Sequence, residues 1–300
     1  MKSRPAKIPL SGVYTALATP FKPDFSLDVP AFRRLIRRQA LGGVDGVVIG
    51  GSTGEGSSLE PAESSKLIRL AAQEGDGELL VIAGVGANAT ARAVQSARLA
   101  QSSGAEALLV TAPSYNKPPQ RGIIAHVAAI SRATRLPIIV YNIPGRTAVN
   151  IEPQTLARMA REVPRVVAVK ESSGSLDQAG ETIRAAPPGF SVLAGDDSLI
   201  LPMISIGARG AVSVLSNLVP SQMADLCRSA RQGDMGRARS LHLRMLPVIK
   251  ALYLESNPIP LKAAMALRGL ARDVLRLPLM PLAAEKRTQL KTRLKEFGLI

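Results

Sequence analysis

The chain reads as an α/β protein, a (β/α)₈ TIM barrel with a C-terminal helical appendix, on three observations. Eight short apolar runs recur at intervals of about 25 to 30 residues. Each is rich in Val, Ile, Leu and Ala without polar–apolar alternation, as befits strands buried on both faces of a parallel sheet. The segments between them repeat their apolar residues with helical spacing. Eight consecutive βα units are what a closed barrel requires.

The runs, in order, are VYTALATP (13–20), VDGVVIGG (44–51), LLVIAGVG (79–86), ALLVTAP (107–113), PIIVYNIP (137–144), VVAVKES (166–172), FSVLAGDD (190–197) and GAVSVLSN (210–217). Intervening stretches such as PAFRRLIRRQAL, PAESSKLIRLAAQ and TARAVQSARLAQSSG open on Pro or Thr and tend to end at Gly, the usual helix punctuation. An open doubly wound sheet would announce itself with G-x-G-x-x-G after the first strand. The closest approach, GVGANATA, follows the third run and lacks the third glycine. No strand is expected after 218. The rest reads as helices over roughly 220–231, 234–254, 258–269 and 284–297, interrupted by NPIP and RLPLMP. The expected organisation is a barrel over 1–218 and a helical region over 219–300 that completes it.

Composition narrows the setting. At 300 residues and 46% hydrophobic, the chain can bury a large core. Its single cysteine, Cys227, excludes an internal disulfide, and no His/Cys spacing suggests a metal site. The opening MKSRPAKIPLSG is basic but lacks an apolar signal core, and no apolar run reaches 18 residues. The expectation is a soluble, cytoplasmic protein without membrane contact. A net charge of +15 raises nucleic acid as a partner, yet the basic residues are scattered and aromatics make up only 3%, so stacking platforms are scarce. No nucleic-acid partner is expected.

Barrel chemistry gathers where the strands end. Here those ends read GGSTGEG, APSYNKP, YNIPGRT, VKESSG and AGDD, so hydroxyls, an arginine and a lysine converge on one rim. Lys170 is the most informative of these. The four apolar residues before it offer no wet face along which its stem could run, which leaves a salt bridge to Glu171 or Asp196, or a nucleophilic amine. Burial penalises an ammonium's charge, and a neutral amine attacks carbonyls.

GSTGEG (51–56), GANAT (86–90), SYNKP (114–118), YNIPGRT (141–147), VKESSG (169–174), GDD (195–197) and NPIPLK (257–262) together resemble the dihydrodipicolinate synthase family of pyruvate-dependent lysine aldolases, in order and spacing from about residue 10 to the C-terminus. The resemblance implies a lyase that condenses pyruvate with aspartate 4-semialdehyde to 4-hydroxy-tetrahydrodipicolinate, for lysine and diaminopimelate synthesis. It implies a homotetramer of two tight dimers and no cofactor beyond the covalent Schiff base. Lys170 matches the Schiff-base lysine and Tyr141 the proton-shuttling tyrosine. Ser52 and Tyr115 match the relay hydroxyls, Tyr115 reaching across a dimer interface. Thr53 and Gly54 match the pyruvate carboxylate turn, and Arg146 the arginine that grips the carboxylate of the second substrate. Gly195 and Val212 complete the substrate-binding set; no metal is expected. Relatives that act on other aldehydes or sugar acids are the alternative, and a non-enzymatic basic binding protein is a third reading. Sialic-acid lyases share GSTGE but typically lack both that arginine and SYN.

Two departures stand out. Ser52 replaces the usual threonine, keeping the hydroxyl on a freer rotor. At positions where lysine-inhibited relatives hold the inhibitor, this chain has Pro61, Ser64, Arg92 and Ser114, with only Asn88 retained. An arginine there repels a lysine ammonium, so no lysine inhibition is expected. His126 and His242 read as packing or surface residues, Cys227 as a small helix residue, and Asp196–Asp197 as a cap for the next helix.

Overall fold

The structure, a computed structural model, describes residues 10–300; most of the basic opening segment lies outside the described residues. Strands β1 (Gly12–Ala16), β2 (Gly46–Ile49), β3 (Leu80–Val85), β4 (Ala107–Thr111), β5 (Ile138–Asn142), β6 (Val166–Glu171), β7 (Ser191–Ala194) and β8 (Gly210–Ser213) form a closed parallel barrel in sequential order, β8 pairing with β1. Every predicted apolar run coincides with one strand, β1 starting one residue earlier at Gly12. Between and after them come α1 (Val29–Leu41), α2 (Pro61–Gly75), α3 (Thr90–Ser102), α4 (Gln120–Ala133), α5 (Pro144–Thr147), α6 (Pro153–Glu162), α7 (Leu176–Ala185), α8 (Ile200–Ser205), α9 (Pro220–Arg231), α10 (Met235–Ala251), α11 (Ile259–Leu267) and α12 (Ala284–Phe297). No strand follows β8 among the described residues.

The runs lack alternation because both strand faces are dry. One face fills the barrel interior with Tyr14, Val48, Ile82, Leu109, Ile139, Tyr141, Leu193 and Val212. The other, including Val13, Val47, Val81, Leu108, Val140 and Val169, packs under the helix layer. Helix starts follow the sequence signals. Asp28 accepts from the Ala31 amide at α1, a Glu60–Glu63 capping box opens α2, and Ser175 accepts from the Gln178 amide at α7. After the barrel, α10 packs on α9 and α12, and α12 on α11. Among the described residues no helix is long and apolar enough to cross a membrane.

Candidate active site

The C-terminal mouth of the barrel holds a cavity lined by Ser52, Thr53, Tyr141, Arg146, Lys170 and Gly195, together with Asp196, Val214, Tyr253 and Asn257. Register builds its centre. Tyr141 on β5 and Lys170 on β6 are paired neighbours, so their side chains point the same way, inward. Lys170 is 5% exposed, and its Nζ stands 4.2 Å from the centroid of the Tyr141 ring. An ammonium at that height is held by the ring's electron-rich face.

The pleat turns Glu171 the opposite way. Its carboxylate accepts from Asn142 Nδ2, the Ser173 amide and Gln178 Nε2, at 3.1, 2.6 and 3.0 Å. The acid after the lysine therefore anchors the end of β6 to β5 and α7 and makes no salt bridge with Lys170, as parity in a strand demands. Asp196 lines the cavity on the other side. Burial raises its carboxyl above the ordinary aspartate range; the Lys170 charge opposes this and the Glu171 charge adds to it.

Gly195 is required by space. A Cβ there would lie 1.8 Å from Ser172 Oγ and 2.9 Å from Lys170 Cε. A side chain at 195 would occupy the volume of the lysine stem.

The glycine-rich turn after β2 lies opposite. The Glu55 amide donates to Ser52 O and the Gly56 amide to Gly51 O, whereas the amides of Thr53 and Gly54 find no acceptor among the described residues. Thr53 is buried, its Oγ1 accepting from Asn257 Nδ2 at 2.9 Å. Asn257 also accepts at its backbone oxygen from Arg146 Nη2, at 2.8 Å. Arg146 belongs to the short α5 and forms no ion pair among the described residues. The surface salt bridge that would have explained it structurally is not there. Arg146 is among the residues that line the cavity.

Not every expected residue converges. Gly54 is buried behind the turn, its carbonyl accepting from Thr19 Oγ1, and Val212 packs in the barrel interior; neither lines the cavity, and Val214 takes the rim position on that side. Height is the reason for Val212: it shares the inward face with Val214 but sits one layer below the mouth, within the packed interior. Tyr115 is 87% exposed in the left-handed region, φ 68°, and reaches no group of this cavity.

Asp197 does not cap the helix that follows it. Its Oδ2 accepts from the amides of Val214 and Leu215, at 3.1 and 2.8 Å, tying the turn after β7 to the turn after β8. Missed from the sequence were Asn257 and Tyr253. Asn257 opens NPIPLK, a motif that entered the family resemblance without being assigned to the site; Tyr253 ends a helical run with no signal of its own. His126 bonds Thr90 Oγ1 through Nδ1, and both His126 and His242 are buried packing residues whose desolvation lowers their proton affinity. Cys227 is buried in α9, and that burial pushes its thiol up to about 12.

A closed parallel barrel of eight βα units that gathers a buried amine and hydroxyls in a cavity at the C-terminal ends of its strands has the architecture of the (β/α)₈ enzymes. The comparisons are specific. The model of the dihydrodipicolinate synthetase family matches residues 9–297, and the chain belongs to that family. It is 43% identical over 289 residues to the 4-hydroxy-tetrahydrodipicolinate synthase of Maridesulfovibrio salexigens, covering 96% of this chain and 99% of that one. The solved dihydrodipicolinate synthase of Thermotoga maritima superposes with a TM-score of 0.95 at 39% identity, covering 97% and 99%. A monomeric dihydrodipicolinate synthase variant is equally similar, with a TM-score of 0.95 at 39% identity, covering 97% and 98%.

Proposed function

We propose that this chain is a lyase condensing pyruvate with aspartate 4-semialdehyde to 4-hydroxy-tetrahydrodipicolinate, in lysine and diaminopimelate biosynthesis, through a Schiff base on Lys170. The observation that carries the chemistry is the buried Lys170 amine against the Tyr141 ring.

In this reading neutral Nζ attacks C2 of pyruvate, the carbonyl oxygen leaves as water, and a cationic imine forms. The imine accepts the electron pair released when a methyl proton is removed, giving an enamine. That carbon attacks the aldehyde of the second substrate, the new alkoxide takes a proton, and the semialdehyde's own amino group then attacks the imine carbon, closing the ring and releasing the Lys170 amine by transimination. No cofactor is needed, since the imine is itself the electron sink. Tyr141 carries the protons. A phenol is a weak base at neutral pH and requires a relay, for which Ser52 stands at the cavity wall.

Tyr115 cannot serve the cavity of its own chain. Its exposure and fixed left-handed backbone suit donation into a second protomer, in a homotetramer of tight dimers. The turn at Thr53, whose amide is free of any acceptor among the described residues, receives the pyruvate carboxylate, and Arg146 receives that of the semialdehyde with bidentate geometry. The enzyme works in the cytoplasm in this reading.

The test is to incubate with pyruvate, reduce with borohydride and map the adduct by peptide mass spectrometry, with Lys170→Ala as control. The expected adduct falls on Lys170 alone. An unmodified Lys170 overturns the Schiff base. Turnover is then compared across aspartate semialdehyde, acyl sugars and keto-deoxy sugar acids, and a preference for either sugar class overturns the assignment of the second substrate.

A further inference from the structure

Two residues beyond Thr53, Glu55 is 3% exposed and adopts the left-handed backbone, φ 52°. A non-glycine residue persists there only where its surroundings hold it. Its carboxylate is held from two directions. One oxygen forms an ion pair with Lys262 of α11, and the other accepts from the Arg276 amide at 3.0 Å. Lys262 is 1% exposed, donates to Val274 O at 2.8 Å, and stands 4.2 Å from the Phe21 ring centroid. Arg276 covers the same ring at 4.4 Å and pairs with Glu63 at the start of α2. Neither Glu55 nor Lys262 lines the cavity, so the chemistry proposed above leaves this pair unused.

A buried ion pair is seldom a net gain in stability over apolar side chains of similar size, so its presence calls for a geometric reason. The backbone supplies one. The Glu55 amide closes the turn on Ser52 O, and inside that turn lies Thr53, whose amide has no acceptor among the described residues and which lines the cavity. Fixing the Glu55 side chain fixes the peptide planes just before it. We propose that the Glu55–Lys262 pair is the positioning device of the carboxylate-binding turn, so that capture of the first substrate depends on α11, outside the eight βα units. Burial lowers the proton affinity of Lys262 and the Glu55 charge restores part of it, in keeping with an ammonium that stays only while its partner does.

The inference rests on the pyruvate reading, and the experiment separates the two. Borohydride trapping on Lys170 is titrated with pyruvate in the wild-type protein, in Glu55→Gln and in the double variant Glu55→Gln/Lys262→Met, where no buried charge is left alone. Steady-state constants and melting temperatures are measured alongside. The turn holds the carboxylate equally in ground and transition states, so the loss falls on KM. The expected result is a rise of at least tenfold in half-saturating pyruvate in both variants, with kcat and the semialdehyde KM changed less than threefold. The rise should persist in the double variant even where its melting temperature returns to the wild-type value, which a purely structural pair would not produce. Half-saturation within twofold of wild type in either variant overturns the positioning role. Absence of trapping in the wild-type protein itself overturns the pyruvate reading, and the positioning role with it.

Discussion

Replacing Gly195 by alanine tests whether the position of Lys170 is set by the absence of a side chain beside it. The new Cβ would meet Ser172 Oγ at 1.8 Å, Lys170 Cε at 2.9 Å and Glu171 O at 3.0 Å. Ser172 Oγ has no hydrogen-bond partner in the structure, so it can rotate aside at little cost. The lysine stem and the strand carbonyl cannot do so as easily, since one packs on Tyr141 and the other accepts the Gly195 amide at 2.8 Å. Ordinary contact begins near 3.4 Å, so the stem has to move by about half an ångström. Overpacking of this size costs about 1–3 kcal/mol of stability. A displaced nucleophile costs more in rate, up to about 100-fold for 1 Å. The assay is the rate of borohydride-trapped adduct formation at saturating pyruvate, with Ser172→Gly/Gly195→Ala as the control that removes the hydroxyl clash and leaves the lysine clash. A fall of about 10- to 100-fold is expected in both. A variant that traps pyruvate at the wild-type rate would refute the reasoning, because the stem would then have room the geometry does not give it.

Arg146→Ala should leave trapping with pyruvate unchanged while lowering kcat/KM for the semialdehyde about 10- to 100-fold, the range for losing a hydrogen-bonded charge contact; steady-state kinetics at fixed pyruvate check it. L-lysine at millimolar concentration should not inhibit, since Arg92 is exposed at the expected inhibitor site, and Ser114 Oγ is engaged with Asn88 Oδ1 at 2.8 Å; half-inhibition at submillimolar lysine would contradict this. Glu63 is held below the ordinary glutamate range, chiefly by its hydrogen bond from Arg276. A lowered folded-state value makes its contribution complete above the unfolded-state value and lost as pH falls through the folded one. The melting-temperature gap between wild type and Glu63→Gln should therefore be present at pH 7 and close below about pH 4; a gap independent of pH would contradict it.

The barrel was legible because each strand is buried on both faces, which writes itself into sequence as an uninterrupted apolar run, and each run found its strand. The polar rim was legible for the same reason: a charged or hydroxyl residue closing such a run has nowhere to go but the mouth. Lys170, Tyr141, Ser52, Thr53, Arg146 and Gly195 all line one cavity. What local pattern could not resolve was height at the barrel mouth and long-range pairing. Whether Asp196 comes beside Lys170 depends on how the turn after β7 folds over the mouth, and whether Val212 or Val214 reaches the rim depends on how far each stands along the barrel axis. The part played by Asp197 depends on a turn 17 residues away, whose amides it accepts. Asn257 was invisible as a site residue because its partner Thr53 lies 204 positions earlier.

Those long-range ties bear on how the site is built. The strand ends carry the amine and phenol on which the proposed chemistry depends, yet the groups that would receive the two substrate carboxylates are secured from beyond the eight βα units. Asn257 donates to Thr53 Oγ1 through its side chain and accepts from Arg146 through its backbone oxygen, so one residue fixes both sides of the cavity. Five residues later Lys262 secures Glu55 at the far end of the same turn. A shift of the segment from 257 to 262 would thus move both carboxylate sites together and leave Lys170 and Tyr141 where β5 and β6 hold them. Damage to the C-terminal helices should accordingly appear first as weakened binding of both substrates, with the intrinsic reactivity of the lysine preserved.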